Sequence, residues 1–346
     1  MGFDVNDFGG GKNAGAGNVI YPVPADFSDS LASFPVTIAG LQAYAKNGFA
    51  VLRLQASIGC RWLNLFIVNN AYGTTSAAVG VSVWVDGAFL AQVEPTEVSA
   101  INTYRVALDG AAHVVEIVEG YTQFLTQGGF VYAVSSEGGP VATLPNPSVS
   151  RRLVVYGDSI GHGHAASPPT QNGWGGLIRA TYPGRVSVEG WRSLYDDTGQ
   201  AGAVGIGSIA ALAQRLCGLF FGATICDLWD EISFNDYYPG NHQWSAADYG
   251  AALGQLYDTI HAIHPSAHIY SQTAIVTTYS GTNGFGNVLD DYRAQKIAVS
   301  AARPGWVTTV DGTALMTTAG LSADTIHPST AGHATLAASI RAVLGY

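Results

Sequence analysis

The hydrophobic period of this chain changes once, and the change divides it into two kinds of fold. Before residue 137, apolar residues alternate with polar or small ones, as in VSVWVDG (81–87) and TYRVALDG (103–110), and VVEIVEG (114–120) and GFVYAV (129–134) continue the series. A period of two is what a strand with one buried face requires. The Asp-Gly pairs at 86–87 and 109–110 are hairpin signals. The first 145 residues are therefore expected to form an all-β sandwich, jelly-roll-like in kind. EGGPVATLPNPSVS (137–150) then gathers three prolines with Gly, Ser and Asn and reads as a linker. Residues 146–150 are its end.

After the linker, short apolar runs alternate with helical segments. LVVY (153–156), VSV (186–188), HIYSQTAIV (268–276) and WVTTV (306–310) are the strand candidates. Continuous apolar runs of this kind fit a parallel sheet covered on both faces. One helix is expected from Ser245, where Ser245 and Asp248 make a capping-box-like pair. Tyr249, Leu253, Leu256, Ile260 and Ile263 recur at helical spacing, and Pro265 stops the segment. TAGHATLAASIRAVLGY (330–346) supplies another. Residues 151–346 thus read as a three-layer α/β/α domain. Two domains also suit 346 residues at about 150 per domain.

Composition narrows the function. Hydrophobic residues are 47% and charged residues 12%, with no apolar run near the roughly 18 residues of a membrane helix, so membrane insertion is not expected. A net charge of −10 with only 15 Lys plus Arg offers no basic stripe for a phosphate backbone, which argues against nucleic acid as a partner. Cys60, Cys217 and Cys226 form no CxxC pair and read as buried small hydrophobes. The start, MGFDVNDFGGGKNAGAG, has no charged region followed by an apolar stretch, so the chain reads as cytoplasmic or as lacking a leader already removed. Its GGGK is not a phosphate loop, because Asn13 follows Lys12 and no strand precedes it.

Chemistry is suggested by three places after the linker. Gly157-Asp158-Ser159 ends the first strand of the α/β domain, and open parallel sheets gather ligands at such strand ends. The tripeptide alone is weak, since it arises by chance in on the order of one chain in ten of this length. Serine needs a base and a group to hold that base. In DTIHP, Asp324 lies three residues before His327, so one loop can present both. Taken alone, that loop could equally be a surface turn capping the last helix. Asn235, in DEISFNDYY, carries an amide donor suited to polarising a carbonyl oxygen, although Asn-Asp is also common turn chemistry.

In that order, residues 151–346 resemble an SGNH hydrolase of the GDSL superfamily. Gly157-Asp158-Ser159 matches the family's first block, Ser233-Phe234-Asn235-Asp236 its third with Ser in place of the first Gly, and Asp324 through Pro328 its fifth. The resemblance implies a flavodoxin-like domain with Ser159 as nucleophile, His327 as base and Asp324 as its support, with no metal or cofactor. The oxyanion hole would use Ser159, Asn235 and the second block, where VEGWRSLYDD offers Gly190 but its register also admits Trp191, Arg192 or Ser193. GDSIG also fits the α/β-hydrolase elbow, yet that fold needs β-α units ahead of its serine and places acid and base on separate loops. His162 and His164 sit on the serine's own turn, a poor place for a base, and HGH has no third metal ligand nearby in sequence. His261 and His264 end a helix, His333 lies within one, and Asp196, Asp197, Asp290 and Asp291 read as solvated surface.

A β domain before an SGNH domain resembles the two-domain carbohydrate acetylesterases of carbohydrate esterase family 2. Trp191, Trp229, Tyr237, Tyr238 and Trp244 lie near the motif loops, and flat aromatics suit sugar faces; each could equally be core. Of these, Trp191, Tyr237 and Trp244 are the substrate-binding candidates. The expectation is a serine O-acyl esterase that deacetylates a carbohydrate. The alternatives are an acyltransferase with the same triad, a lipase or general carboxylesterase, and a glycan-binding protein with an inactive SGNH scaffold.

Overall fold

The computed structural model describes residues 17–20, 34–38, 41–45, 51–69, 81–93, 100–119, 129–145, 149–167, 169–182, 184–189, 193–198, 208–220, 222–241 and 243–346. The GGGK segment and residues 146–148 of the linker lie outside them. Among the described residues, the N-terminal half contains two larger antiparallel sheets and a two-stranded one that pairs Phe34–Ile38 with Leu41–Ala45. Of the larger two, one pairs Val19–Ile20, Gly129–Glu137, Trp62–Asn69 and Ala100–Ala107 in that order, and the other pairs Val141–Thr143, Val51–Ala56, His113–Glu119, Val81–Val85 and Ala88–Val93. Leu63, Leu65 and Val134 of the first pack with Leu52, Leu54 and Ile117 of the second in one core. The Asp86-Gly87 hairpin forms, with φ of 49° and 80° at its two residues. Asp109-Gly110 is not a hairpin turn. The strand before it pairs with Trp62–Asn69 and the strand after it with Val51–Ala56, so this segment crosses between the sheets. Asp109 is used there to hold His113, whose Nε2 lies 2.7 Å from Asp109 Oδ1.

The C-terminal half is a five-stranded parallel sheet in the order Arg185–Glu189, Arg151–Tyr156, Ile225–Asp230, Ala267–Gln272, Val307–Val310. By chain order this is 2-1-3-4-5, the flavodoxin-like arrangement, in which the first strand marks the topological switch point. The first strand shows why its sequence is apolar throughout. Val154 and Tyr156 enter a core with Leu212, Leu253, Leu256 and Tyr292, while Leu153 and Val155 enter another with Trp174, Ile178, Leu336 and Ile340. Both faces are thus covered, and each such side chain contributes about 1.5–3 kcal/mol by burial. The helix Ala246–Ile263 starts where Ser245 caps the N–H of Asp248, and Thr330–Leu344 closes the chain. Val51 and Val118 of the β half join the second core, and Arg179 pairs with Glu116 at 3.2 Å.

The middle strand, Ile225–Asp230, is absent from the sequence-based strand candidates. ICDLWD carries two acids, and both are buried. Asp227 Oδ2 accepts from Arg151 Nη2 and from the Tyr182 hydroxyl, each at 3.1 Å. Asp230 meets Lys296 Nζ at 3.1 Å, both side chains being fully buried, and accepts from Tyr257. The three cysteines are buried and unpaired, as expected.

Candidate active site

Three strand ends and the last long loop converge at the switch point. Ser159 follows the first strand, and its Oγ lies 2.7 Å from His327 Nε2. His327 Nδ1 lies 2.7 Å from Asp324 Oδ2, which completes an unbroken line across three side chains. The turn carrying the last two is fixed locally. Asp324 Oδ1 accepts from the N–H groups of Ile326 and His327, each at 2.9 Å, and from the Ser322 hydroxyl at 2.8 Å, while Thr325 adopts φ 64°. The Ser322 N–H donates back to the His327 carbonyl at 2.7 Å. Burial alone would raise the Asp324 carboxyl, but these donors outweigh it and hold it well below the usual carboxylate range. Asp324 is therefore ionised at neutral pH and fixes a proton on His327 Nδ1, which leaves Nε2 to accept from Ser159.

Asn235 lies in the short helix Phe234–Tyr237 after the middle strand. Its Nδ2 donates to Asp158 Oδ2 at 3.0 Å, and its Oδ1 accepts from Asn241 Nδ2 at 3.0 Å. The amide is held from both ends, and these two bonds leave its second N–H without a partner among the described residues. The next residue, Asp236, is turned the other way. Its two oxygens accept from the N–H groups of Leu194 and Tyr195, each at 3.0 Å, so it anchors the loop that follows Arg185–Glu189. Burial pushes its carboxyl up to about 7 against the pull of those two donors. In that loop Gly190, Trp191 and Arg192 lie outside the described residues, and Ser193 serves as the cap of the helix Leu194–Asp197.

No protein-family model matches the sequence, and no curated protein matches it. Solved structures do. A salicylyl-acyltransferase, SsfX3, from a tetracycline biosynthetic pathway aligns at 18% identity over 95% of this chain and 98% of its own, with a TM-score of 0.70. A family two carbohydrate esterase from Cellvibrio japonicus aligns at 14% identity over 95% and 97%, with a TM-score of 0.65. A GDSL-like lipase from Bacteroides ovatus aligns at 12% identity over 86% and 84%, with a TM-score of 0.61. The fold is that of the SGNH, or GDSL, hydrolases. The likeness to the acyltransferase and the carbohydrate esterase extends over the β half as well as the α/β half.

Within this SGNH fold several residues sit differently from their sequence reading. His164 does approach His327, with ring centroids 4.3 Å apart. The metal-ligating atoms of His164, Asp324 and His327 lie within 4.8 Å of one another, so the partners absent from HGH come from the far end of the chain. A metal ion there would compete with the Ser159 and Asp324 hydrogen bonds. Desolvation and the neighbouring His327 push the His164 imidazole below its usual range. His333 is structural: it accepts from the Trp174 N–H at 3.3 Å and donates to the His164 carbonyl at 2.8 Å. Asp196 and Asp197 are buried rather than solvated, accepting from Ser193 Oγ at 3.1 Å and Tyr156 OH at 3.0 Å.

The aromatic candidates also shift. Tyr237 is 1% exposed and donates its hydroxyl to the Gly281 carbonyl, so it is packing and unavailable to a substrate. Trp229 is fully buried. Trp244 is half-buried, packed edge-on to Tyr195 with centroids 5.2 Å apart. Other half-buried rings near the motif loops include Tyr238, three residues after Asn235, and Tyr279, whose centroids lie 5.1 Å apart. The Tyr279 segment is tied to the base loop by Thr277 Oγ1, which donates to the Thr325 carbonyl at 2.9 Å. Tyr279 had no sequence signal, because nothing in TTYSGTNG marks its closeness to a loop 45 residues later.

Proposed function

We propose that this protein is a serine O-acyl esterase that removes acetyl groups from a carbohydrate through an acyl-enzyme. The observation that carries the reading is the line Ser159 Oγ–His327–Asp324, with both hydrogen bonds at 2.7 Å. His327 Nε2 takes the Ser159 proton as Oγ attacks the ester carbonyl, and Asp324 steadies the imidazolium. The free N–H of Asn235, with backbone N–H groups of Ser159 and of the loop carrying Gly190, receives the oxyanion. His327 then protonates the departing sugar hydroxyl, and water activated by the same imidazole releases the acyl group. Water alone suffices as co-reactant, and no cofactor enters these steps. The carbohydrate reading is supported by the architecture shared with a carbohydrate esterase, and by the half-buried rings of Tyr238 and Tyr279 near Asn235 and the Thr325 turn.

A second reading, acyl transfer to another hydroxyl, is favoured by the equally complete likeness to an acyltransferase. The two differ only in what meets the acyl-enzyme. A chromogenic acetyl ester assayed with and without an added alcohol or sugar acceptor tests both. Turnover in water that Ser159→Ala abolishes supports the esterase. Release that depends on the acceptor, with an acylated acceptor as product, would replace hydrolysis by transfer. No Ser159-dependent turnover of any acyl ester would overturn both and favour an inactive glycan-binding scaffold.

A further inference from the structure

A second carboxyl group lies against the turn that carries Ser159. Glu231 follows the middle strand, and its N–H donates to the Tyr156 carbonyl at 3.0 Å. A Cβ added to Gly157 would stand 2.4 Å from Glu231 Oε1, and one added to Gly161 would stand 2.5 Å from it. Both glycines of Gly-Asp-Ser-Ile-Gly therefore leave room for this side chain. Glu231 is 6% exposed; the N–H groups of Asp158 and Gly161 approach its carboxyl, but neither oxygen has a hydrogen bond of ordinary geometry within the protein. Lys296 does not supply one. Its three donors are engaged by the Asp230 carbonyl at 3.0 Å, the Gln272 carbonyl at 2.8 Å and Asp230 Oδ2 at 3.1 Å. An ionised carboxylate buried with no more than such poorly aligned donors costs several kcal/mol, and such a group takes up a proton instead. A cavity of about 10 Å³, the room of one water, is lined by Glu231 together with Asp158, Gln272 and Thr277.

We propose that Glu231 is a neutral carboxylic acid that positions the Ser159 turn, filling the space between Gly157 and Gly161. Through one water in the cavity it shares with Asp158, it steadies the carboxylate that orients Asn235. Burial pushes the Glu231 carboxyl well above its usual range, and the charge of Asp158 on the facing turn adds to this. Lys296 on the helix Leu289–Ala301 and the N–H groups of Asp158 and Gly161 pull the other way without cancelling it. Asp158, also raised by burial, keeps the Ile160 N–H at 2.9 Å and the Asn235 amide as donors. With the proton on Glu231, two like charges do not face each other beneath the nucleophile.

The inference rests on the proposed acyl chemistry for its kinetic arm only, and Glu231→Gln and Glu231→Ala test it. Glutamine keeps the shape without titrating. A group whose folded pKa is raised contributes stability that is complete below its unfolded pKa and is lost as pH rises toward the folded value. Glu231→Gln should therefore raise Tm relative to wild type, by a margin that grows from about pH 5 to about pH 8. It should also keep kcat on an acetyl ester within about threefold of wild type, whereas Glu231→Ala should lower kcat about 10–100-fold with little change in KM. A Glu231→Gln protein that loses Tm increasingly toward high pH, or loses as much kcat as Glu231→Ala, would show that the charged form is required and overturn the proposal. Wild-type kcat in Glu231→Ala would overturn the positioning role. If wild type turned over no ester, the proposed function would fall while the Tm comparison still decided the state of Glu231.

Discussion

The proposed base end of the site holds itself together within six residues, whereas the proposed oxyanion end is assembled from segments far apart in the chain. Ser322, Asp324, Ile326 and His327 satisfy one another inside a single turn. Asn235, by contrast, is aimed by Asp158, which lies 77 residues upstream, and by Asn241, while its neighbour Asp236 reaches the N–H groups of Leu194 and Tyr195. Beneath that end lies a buried charged layer, in which Lys296 and Asp230 pair at 3.1 Å. Local closure fixes the Asp324 carboxyl from within its own turn, with Thr277 bracing that turn from outside at the Thr325 carbonyl. The oxyanion end depends on the packing of the whole sheet.

The contrast can be broken most forcefully at its base. Ser159→Ala and His327→Ala should each remove nearly all activity, and the double variant should be hardly worse than either, because the two act as one unit. Losses that multiply in steady-state assays would show two independent contributions. Under the oxyanion end, Lys296→Met leaves Asp230 buried without its cation and should destabilise by about 3–5 kcal/mol in urea unfolding. Near-wild-type stability would mean that the charged layer is not what holds this end.

The same contrast explains what the sequence revealed. DTIHP was readable because its partners lie within a few residues, and the helix from Ser245 because its cap and apolar stripe are local. The strand Ile225–Asp230 was hidden by Asp227 and Asp230, acids whose partners Arg151 and Lys296 sit on other elements. Asp109-Gly110 carried a hairpin signal, yet its flanking strands join different sheets, a choice made by the sandwich core rather than by the turn. Asn241 and His164 became visible as parts of the site only through the fold that brings them to Asn235 and His327.

Smaller effects sharpen the comparison. Asn235→Ala should lower kcat by about 10²–10³ with a lesser change in KM, the usual loss for one oxyanion donor; a rise in KM alone would assign it to substrate binding. Asn241→Ala removes one hydrogen bond from the Asn235 amide and should lower kcat by about tenfold, on the order of 1 kcal/mol. Unchanged kcat would show that Asp158 aims the amide by itself. The two ends should also differ in the sign of their pH dependence. Asp324 is held low, so its share of stability is present above the ordinary carboxylate pKa and fades as pH falls through its depressed value. Asp236 is raised to about 7, so its share is complete below the ordinary value and is lost as pH rises through about 7. Thermal unfolding of Asp324→Asn and Asp236→Asn against wild type across pH should therefore give slopes of opposite sign, and equal slopes would contradict the contrast.

The central claim is that acyl chemistry passes through the Ser159 oxygen. Mass spectrometry of the protein quenched during turnover of an acetyl ester tests it directly. The expected result is one acetyl group on the peptide that carries Ser159, absent from Ser159→Ala and increased in a variant slow to deacylate. An acetyl group on another residue, or undiminished turnover by Ser159→Ala, would contradict the account.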